Sequence, residues 1–184
     1  EKIYKDHILN YSSDNRDGDY QPPTILYICG GSSASTPYFQ NLIEWRNERG
    51  YIVYVASLTE TGSTSSSIKD YIQDAYNNWE NPPEYVALVG DVDGDYSVPT
   101  YYNDFGHNTY GNDCEGDLPY SQLDGNDLLP EVLVGRISVR SNSELITVSN
   151  KIIHYEKATY LNNVEGYYER AAMAGDPSSS GNSC

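Results

Sequence analysis

Five short apolar runs, separated by stretches of helix length, constrain this chain more than any other feature. Thr24 to Cys29 comes first and closes on Gly30-Gly31; Tyr51 to Leu58, Tyr85 to Val89, Val132 to Ile137 and Arg170 to Ala174 follow. The runs are continuous rather than alternating, the pattern of strands covered on both faces. Thr36-Pro37 places Pro at a first helical position, Phe39, Leu42, Ile43 and Trp45 follow on one stripe, and Gly50 ends that helix. Ile68, Tyr71, Ile72, Ala75, Tyr76 and Trp79 recur at helical spacing before Pro82-Pro83 breaks the pattern. Gly62 to Ser67 reads as a polar loop ahead of it. Ser141-Asn142-Ser143-Glu144 is a capping box that predicts a helix running to about residue 161. Strand and helix in alternation predict an α/β fold. The expected form is a three-layer α/β/α sandwich with a mainly parallel sheet of about four to five strands. Residues 1–23 read as an N-terminal arm, 24–177 as one α/β unit, and 178–184 as the start of a following segment.

The chain has 184 residues and a formal net charge of −16. Its 27 acidic groups repel phosphates that only 11 basic ones attract, which argues against nucleic acid as a partner. No apolar run is long enough for a membrane-spanning helix. Nineteen Tyr against 2 Phe suit half-exposed positions, apolar in the ring and wet at the tip. Cys29, Cys114 and Cys184 form neither a disulfide framework nor a zinc pattern, and they leave the compartment unread.

In parallel sheets, sites lie beyond the carboxyl ends of the strands, which singles out Gly30-Gly31, Asp91 and Asp176. Asp176, after the last run, either orients a His supplied by another segment or closes an Asp-Pro turn. Gly30 to Ser35 is a Gly/Ser loop between strand and helix, suited to an anion or to a plain turn. It lacks the Lys of a Walker A loop and the third Gly of a dinucleotide fingerprint. Asp91-Val92-Asp93-Gly94-Asp95 and Asp124-Gly125-Asn126-Asp127, with Glu131 beyond, supply hard oxygens on a bent backbone. Ca²⁺ takes such ligands, and solvated turns use the same residues. His107 and Cys114 share the long 91–130 loop but have no rigid scaffold to hold them as a dyad. Cys29 reads as a small buried hydrophobe, His154 as helix packing or surface, and His7 as part of the arm.

Four stretches together resemble the gingipain family of cysteine peptidases. Phe39 to Gly50 resembles its first helix, with Trp45 and the terminal Arg49-Gly50. Tyr85 to Asp91 with Val98-Pro99 resembles its third strand. Asp117-Leu118-Pro119-Tyr120-Ser121-Gln122-Leu123-Asp124-Gly125-Asn126-Asp127, then Pro130-Glu131-Val132 and Gly135-Arg136, is the most specific match. Ile153-His154-Tyr155-Glu156 resembles the end of the next helix. The resemblance runs from about residue 25 to 177.

It implies the first of two side-by-side subdomains of a caspase-like catalytic domain, in a secreted or cell-surface enzyme acting on protein and peptide substrates. Asp91, Asp127 and Glu131 match calcium-binding side chains, and Asp124 and Leu129 match positions that bind Ca²⁺ through backbone carbonyls. The family's catalytic His and Cys belong to a second subdomain downstream, in segments absent from these 184 residues. Asp176 is the counterpart of an acid that assists the His in some members, with Asp in place of Glu and Pro177 in place of Gly. The resemblance thus implies a calcium-stabilised cysteine endopeptidase of which this chain is an inactive front part. Two alternatives stand beside it: a non-catalytic calcium-binding scaffold or adhesion module, and a flavodoxin-like small-molecule binder using Gly30-Gly31.

Overall fold

A computed structural model of the chain describes residues 22–102, 115–125 and 129–158. Four of the five apolar runs form strands: β1 (Thr24–Cys29), β2 (Ile52–Ser57), β3 (Tyr85–Val89) and a fourth at Leu133–Ile137. They pair in parallel in the order β2-β1-β3-fourth. A two-residue antiparallel pair, β4 (Tyr101–Tyr102) and β5 (Glu115–Gly116), lies in the long loop, so the fourth sheet strand is β6 in chain order. The run at Arg170–Ala174 lies outside the described residues. β1 is buried along its whole length because it has strands on both sides and helices on both faces.

Side-chain alternation sends the strand residues into two cores. On one face Leu26, Ile28, Val86 and Leu88 pack against Ile68, Ile72 and Ala75. These last come from helix α3 (Ser65–Asn78). On the other, Ile25, Tyr27, Cys29 and Val89 meet Phe39, Leu42 and Leu145. The partners come from helices α1 (Pro37–Glu48) and α4 (Asn142–Glu156). This is the expected three-layer arrangement, with α1 and α4 side by side.

Local chemistry moves several boundaries. The second strand stops at Ser57, one residue short of the expected Leu58. Ser57 instead caps a one-turn helix α2 (Leu58–Thr61) through a capping box with Glu60. The supposed polar loop 62–67 already contains the start of α3. Thr64 accepts the Ser67 N–H at 3.1 Å, and Ser67 returns its hydroxyl to the Thr64 backbone. Three serines are indifferent helix formers. The cap and the buried Ile68–Ile72 stripe outweigh that preference, since each buried side chain contributes about 2 kcal/mol. α4 ends at Glu156, earlier than the expected 161, because Ala158 turns to a left-handed φ of 53°. Its capping box is half made: Ser141 accepts the Glu144 N–H, but the Glu144 carboxylate reaches the Arg140 N–H at 2.6 Å.

Ile72 is fully buried between α3 and the sheet. Ile72→Ala is expected to lower unfolding free energy by about 3 kcal/mol, through lost burial and the cavity left behind. Denaturant unfolding should show a lower midpoint with an unchanged slope.

Candidate functional site

The carboxyl edge of the sheet is where the fold presents side chains. The chain runs left from β1 to β2 and right from β2 to β3, so β1 and β3 flank the switch point where such sheets open a crevice. Here the crevice is filled from within. Residues 95–97 fold back over the ends of β1 and β3, and Tyr96 is 5% exposed. A Cβ on Gly30 would lie 2.3 Å from the Tyr96 carbonyl oxygen, and one on Gly90, where φ is 150°, would lie 1.7 Å from it. Gly30 and Gly90 thus serve close approach of the protein's own backbone. The phosphate-cradle reading of Gly30-Gly31 is corrected on that ground, and with it the flavodoxin-like alternative.

Arg136 holds this edge together. It projects from β6 and is 11% exposed. Its Nε–H donates to Asp117 Oδ2 and one Nη2–H to Asp117 Oδ1, both at 2.8 Å. The remaining donors reach the carbonyls of Gly90 (2.9 Å), Val98 (2.8 Å) and Pro99 (3.1 Å). All five guanidinium N–H groups are used, two of them in a planar fork that Lys cannot make. Asp117 also accepts the Thr100 hydroxyl, and Tyr120 donates to the Pro99 carbonyl. The two ends of the long loop are thereby tied to the sheet and to each other.

Asp91 lies just past β3. Its backbone N–H donates to the Val139 carbonyl. Its carboxylate accepts Arg140 Nε–H at 2.8 Å and the Val92 N–H at 2.9 Å. These two bonds, Arg140 first, hold its pKa below the ordinary 3.8. The other candidate calcium ligands sit elsewhere. Glu131 precedes β6, at the amino end of the sheet, and its carboxylate accepts the N–H groups of Leu123 (2.6 Å) and Asp124 (3.2 Å). Those backbone bonds, Leu123 first, depress its pKa below the usual 4.5. Asp124 is exposed and accepts the Gly125 N–H. Leu129 is exposed as well. Asp127 lies outside the described residues. The five residues of β6 separate the level of Asp91 from that of Glu131 by roughly 16 Å at strand rise, so they cannot share one ion. Among the described residues, no three His, Cys, Asp or Glu side chains come together as a metal site.

Cys29 is fully buried at the end of β1, as expected of a small hydrophobe. Burial, the largest influence, pushes its thiol up to about 12, against a smaller opposing influence of the nearby Ser33 hydroxyl. A thiol that keeps its proton at neutral pH is not a nucleophile. His154 is at the surface of α4. His7, His107, Cys114, Asp176 and Cys184 lie outside the described residues. No helix among the described residues is long and apolar enough to cross a membrane.

Sequence reasoning did not assign Arg136, Asp117 or Arg140 a role. Their signal is there in part: an Arg inside an apolar strand needs a partner, and Asp117 opens the segment that returns to it.

Comparison with known proteins follows the same outline. The profile described as peptidase family C25 matches residues 19–183. Lys-gingipain of Porphyromonas gingivalis is 30% identical over 180 residues, covering 93% of this chain and 9% of the relative. Gingipain R2 of the same organism is 28% identical over 159 residues, covering 85% of this chain and 20% of the relative. The crystal structure of the Arg-specific cysteine proteinase gingipain R superimposes with a TM-score of 0.60 at 25% identity. That superposition covers 76% of this chain and 29% of the proteinase. The chain therefore spans a minor part of the relatives that it matches.

Two outcomes are expected. Arg136→Lys keeps the charge but loses the fork and several carbonyl bonds. It should cost about 3 kcal/mol, the scale of breaking a buried pair, read as a lower denaturation midpoint. Asp91 and Glu131 have folded pKa values depressed below 3.8 and 4.5. Their stabilisation is therefore complete above the ordinary carboxylate range and lost as pH falls through the depressed values. Thermal melts should be flat near neutrality and decline in acid below about pH 4. Asp91→Asn should flatten part of that decline.

Proposed function

The chain belongs to peptidase family C25, and on that premise we propose that residues 24–177 are the leading α/β unit of a cysteine endopeptidase. The observation that carries this reading is the family match across residues 19–183, which includes the whole described sheet. The arm at 1–23 and the segment at 178–184 flank this unit. The reaction of the whole enzyme is acyl transfer. A His takes the proton of a Cys thiol, the thiolate attacks the peptide carbonyl, and the His returns the proton to the leaving amine. Water then releases the acyl group. By resemblance, both residues come from a second subdomain that packs beside this one. Asp176 is the one member of this chain that takes part, as an acid orienting the His.

The 184-residue chain by itself is inert in this reading. Its described thiol, Cys29, is buried and protonated, and its described His154 is on the outer surface of a helix. Added to peptide substrates, the chain should release no product. Turnover that disappears on thiol alkylation would refute this. If the protein is instead a non-catalytic scaffold or adhesion module, the sequence downstream will lack a Gly-His-Gly segment and a strand-end Cys. Residence outside the cell belongs to the same proposal, and secretion of the full-length protein into culture medium tests it.

Calcium belongs to the turn between Leu123 and Val132. Asp124, Asp127, the Leu129 carbonyl and Glu131 supply the hard oxygens that Ca²⁺ prefers. The described members fit that use. Glu131 folds back onto the turn, and Asp124 is exposed on the same turn. Bound there, Ca²⁺ supplies charge neutralisation for carboxylates that otherwise repel one another. Added Ca²⁺ should raise the melting temperature, and a chelator should lower it. Glu131→Gln should abolish the difference. An unchanged melt in both buffers would remove calcium from the account.

A further inference from the structure

Asp91 matches a calcium-binding side chain of the family by position, yet its surroundings do not suit a metal ion. We infer that Arg140 is the resident cation of the Asp91–Asp95 loop, holding internally the place that a metal would take. Arg140 Nε lies 2.8 Å from Asp91 Oδ2 and 2.7 Å from Asp93 Oδ1, so one guanidinium corner compensates two carboxylates. The loop is also wrapped around the Arg140 backbone. Asp95 N–H donates to the Arg140 carbonyl at 3.0 Å, and Arg140 N–H is held by Glu144 at 2.6 Å. Gly94, at φ 84°, lies so close that a Cβ there would meet the Arg140 Cβ at 2.7 Å. The arrangement starts at the first turn of α4 and ends on the turn beyond β3, so it sets the geometry of the carboxyl edge of the sheet.

Both carboxylate oxygens of Asp91 are already engaged, Oδ2 by the Arg140 Nε–H and Oδ1 by the Val92 N–H. Glu131, with the Leu123–Asp124 turn it holds, stands at the opposite end of β6 and cannot complete a shell for Asp91. Charge compensation in this loop therefore needs no calcium, and any calcium response of the protein runs through the Asp124–Glu131 turn. This part of the inference rests on the calcium reading above; the pairing itself does not.

A double-mutant cycle in chelator tests it. Asp91→Asn, Arg140→Gln and the double variant are compared with the parent by melting temperature. Arg140 is 56% exposed, so its substitution leaves the core untouched. Each single variant should melt below the parent, and the double variant should melt no lower than the weaker single, because either change already removes the pair. Strictly additive losses would overturn the inference. Calcium titration adds a second arm: the rise in melting temperature should survive Asp91→Asn in full. Its disappearance in that variant would show a metal on Asp91 and overturn the inference. A parent that does not respond to calcium at all would defeat the calcium reading alone, and the cycle would still decide the pairing.

Discussion

The Arg136 guanidinium is the point on which the carboxyl half of this structure depends. A loop running from Gly90 to Val132 has to return to a four-stranded sheet, and long loops carry backbone carbonyls that must find donors. Arg136 offers five donors from inside the sheet, and the loop arranges the Asp117 carboxylate and three carbonyls around them. Tyr120, fully buried, adds apolar weight on one face of the sheet, and its hydroxyl reaches the same Pro99 carbonyl. A charged group is worth placing there only because every one of its hydrogens is used; a partly satisfied guanidinium at this depth would destabilise the fold.

The other ties are built in the same way. Trp45 Nε1–H and Arg46 Nη1 both donate to Glu156 Oε2, at 2.8 and 2.5 Å, joining the C-terminal ends of α1 and α4. Lys157 lies 4.7 Å over the Trp45 ring. Burial works against the Glu156 charge, but the bonds from Arg46 and Trp45 prevail and its pKa is lowered. Glu131 closes its own turn on Leu123 and Asp124. The stretches that carry the family resemblance are therefore partners of one another: Trp45 and Arg46 with Glu156, Asp117 with Arg136, and the Leu123–Asp124 turn with Glu131. Losing one member of such an ion pair leaves the other charged, half-buried and unpaired.

Much of the layered fold was legible in the chain. Continuous apolar runs and a helical stripe are local signals, so β1, β3, α1 and the body of α3 appear where the pattern places them. The misreadings came where a hydroxyl chose between roles. Ser57 reads as part of a strand and Thr64 as part of a polar loop, and both are helix caps in space. The site was less legible. Asp91, Asp124 and Glu131 belong to one acidic region by composition, but parallel pairing of β3 with β6 puts Asp91 and Glu131 at opposite ends of the sheet.

The amino-acid sequence by itself determined the class of fold and the family. These follow from periodicity and from motifs read in order along the chain. Tertiary structure alone decided what each polar residue answers to. Arg136 and Asp117 are 19 positions apart and Arg140 and Asp91 are 49 apart, and nothing local announces either pair. Tyr96 fills the switch point because glycines at 30 and 90 leave room for its backbone. Which carboxylate oxygen faces a guanidinium depends on strand register and loop return, and both exist only once the sheet has formed.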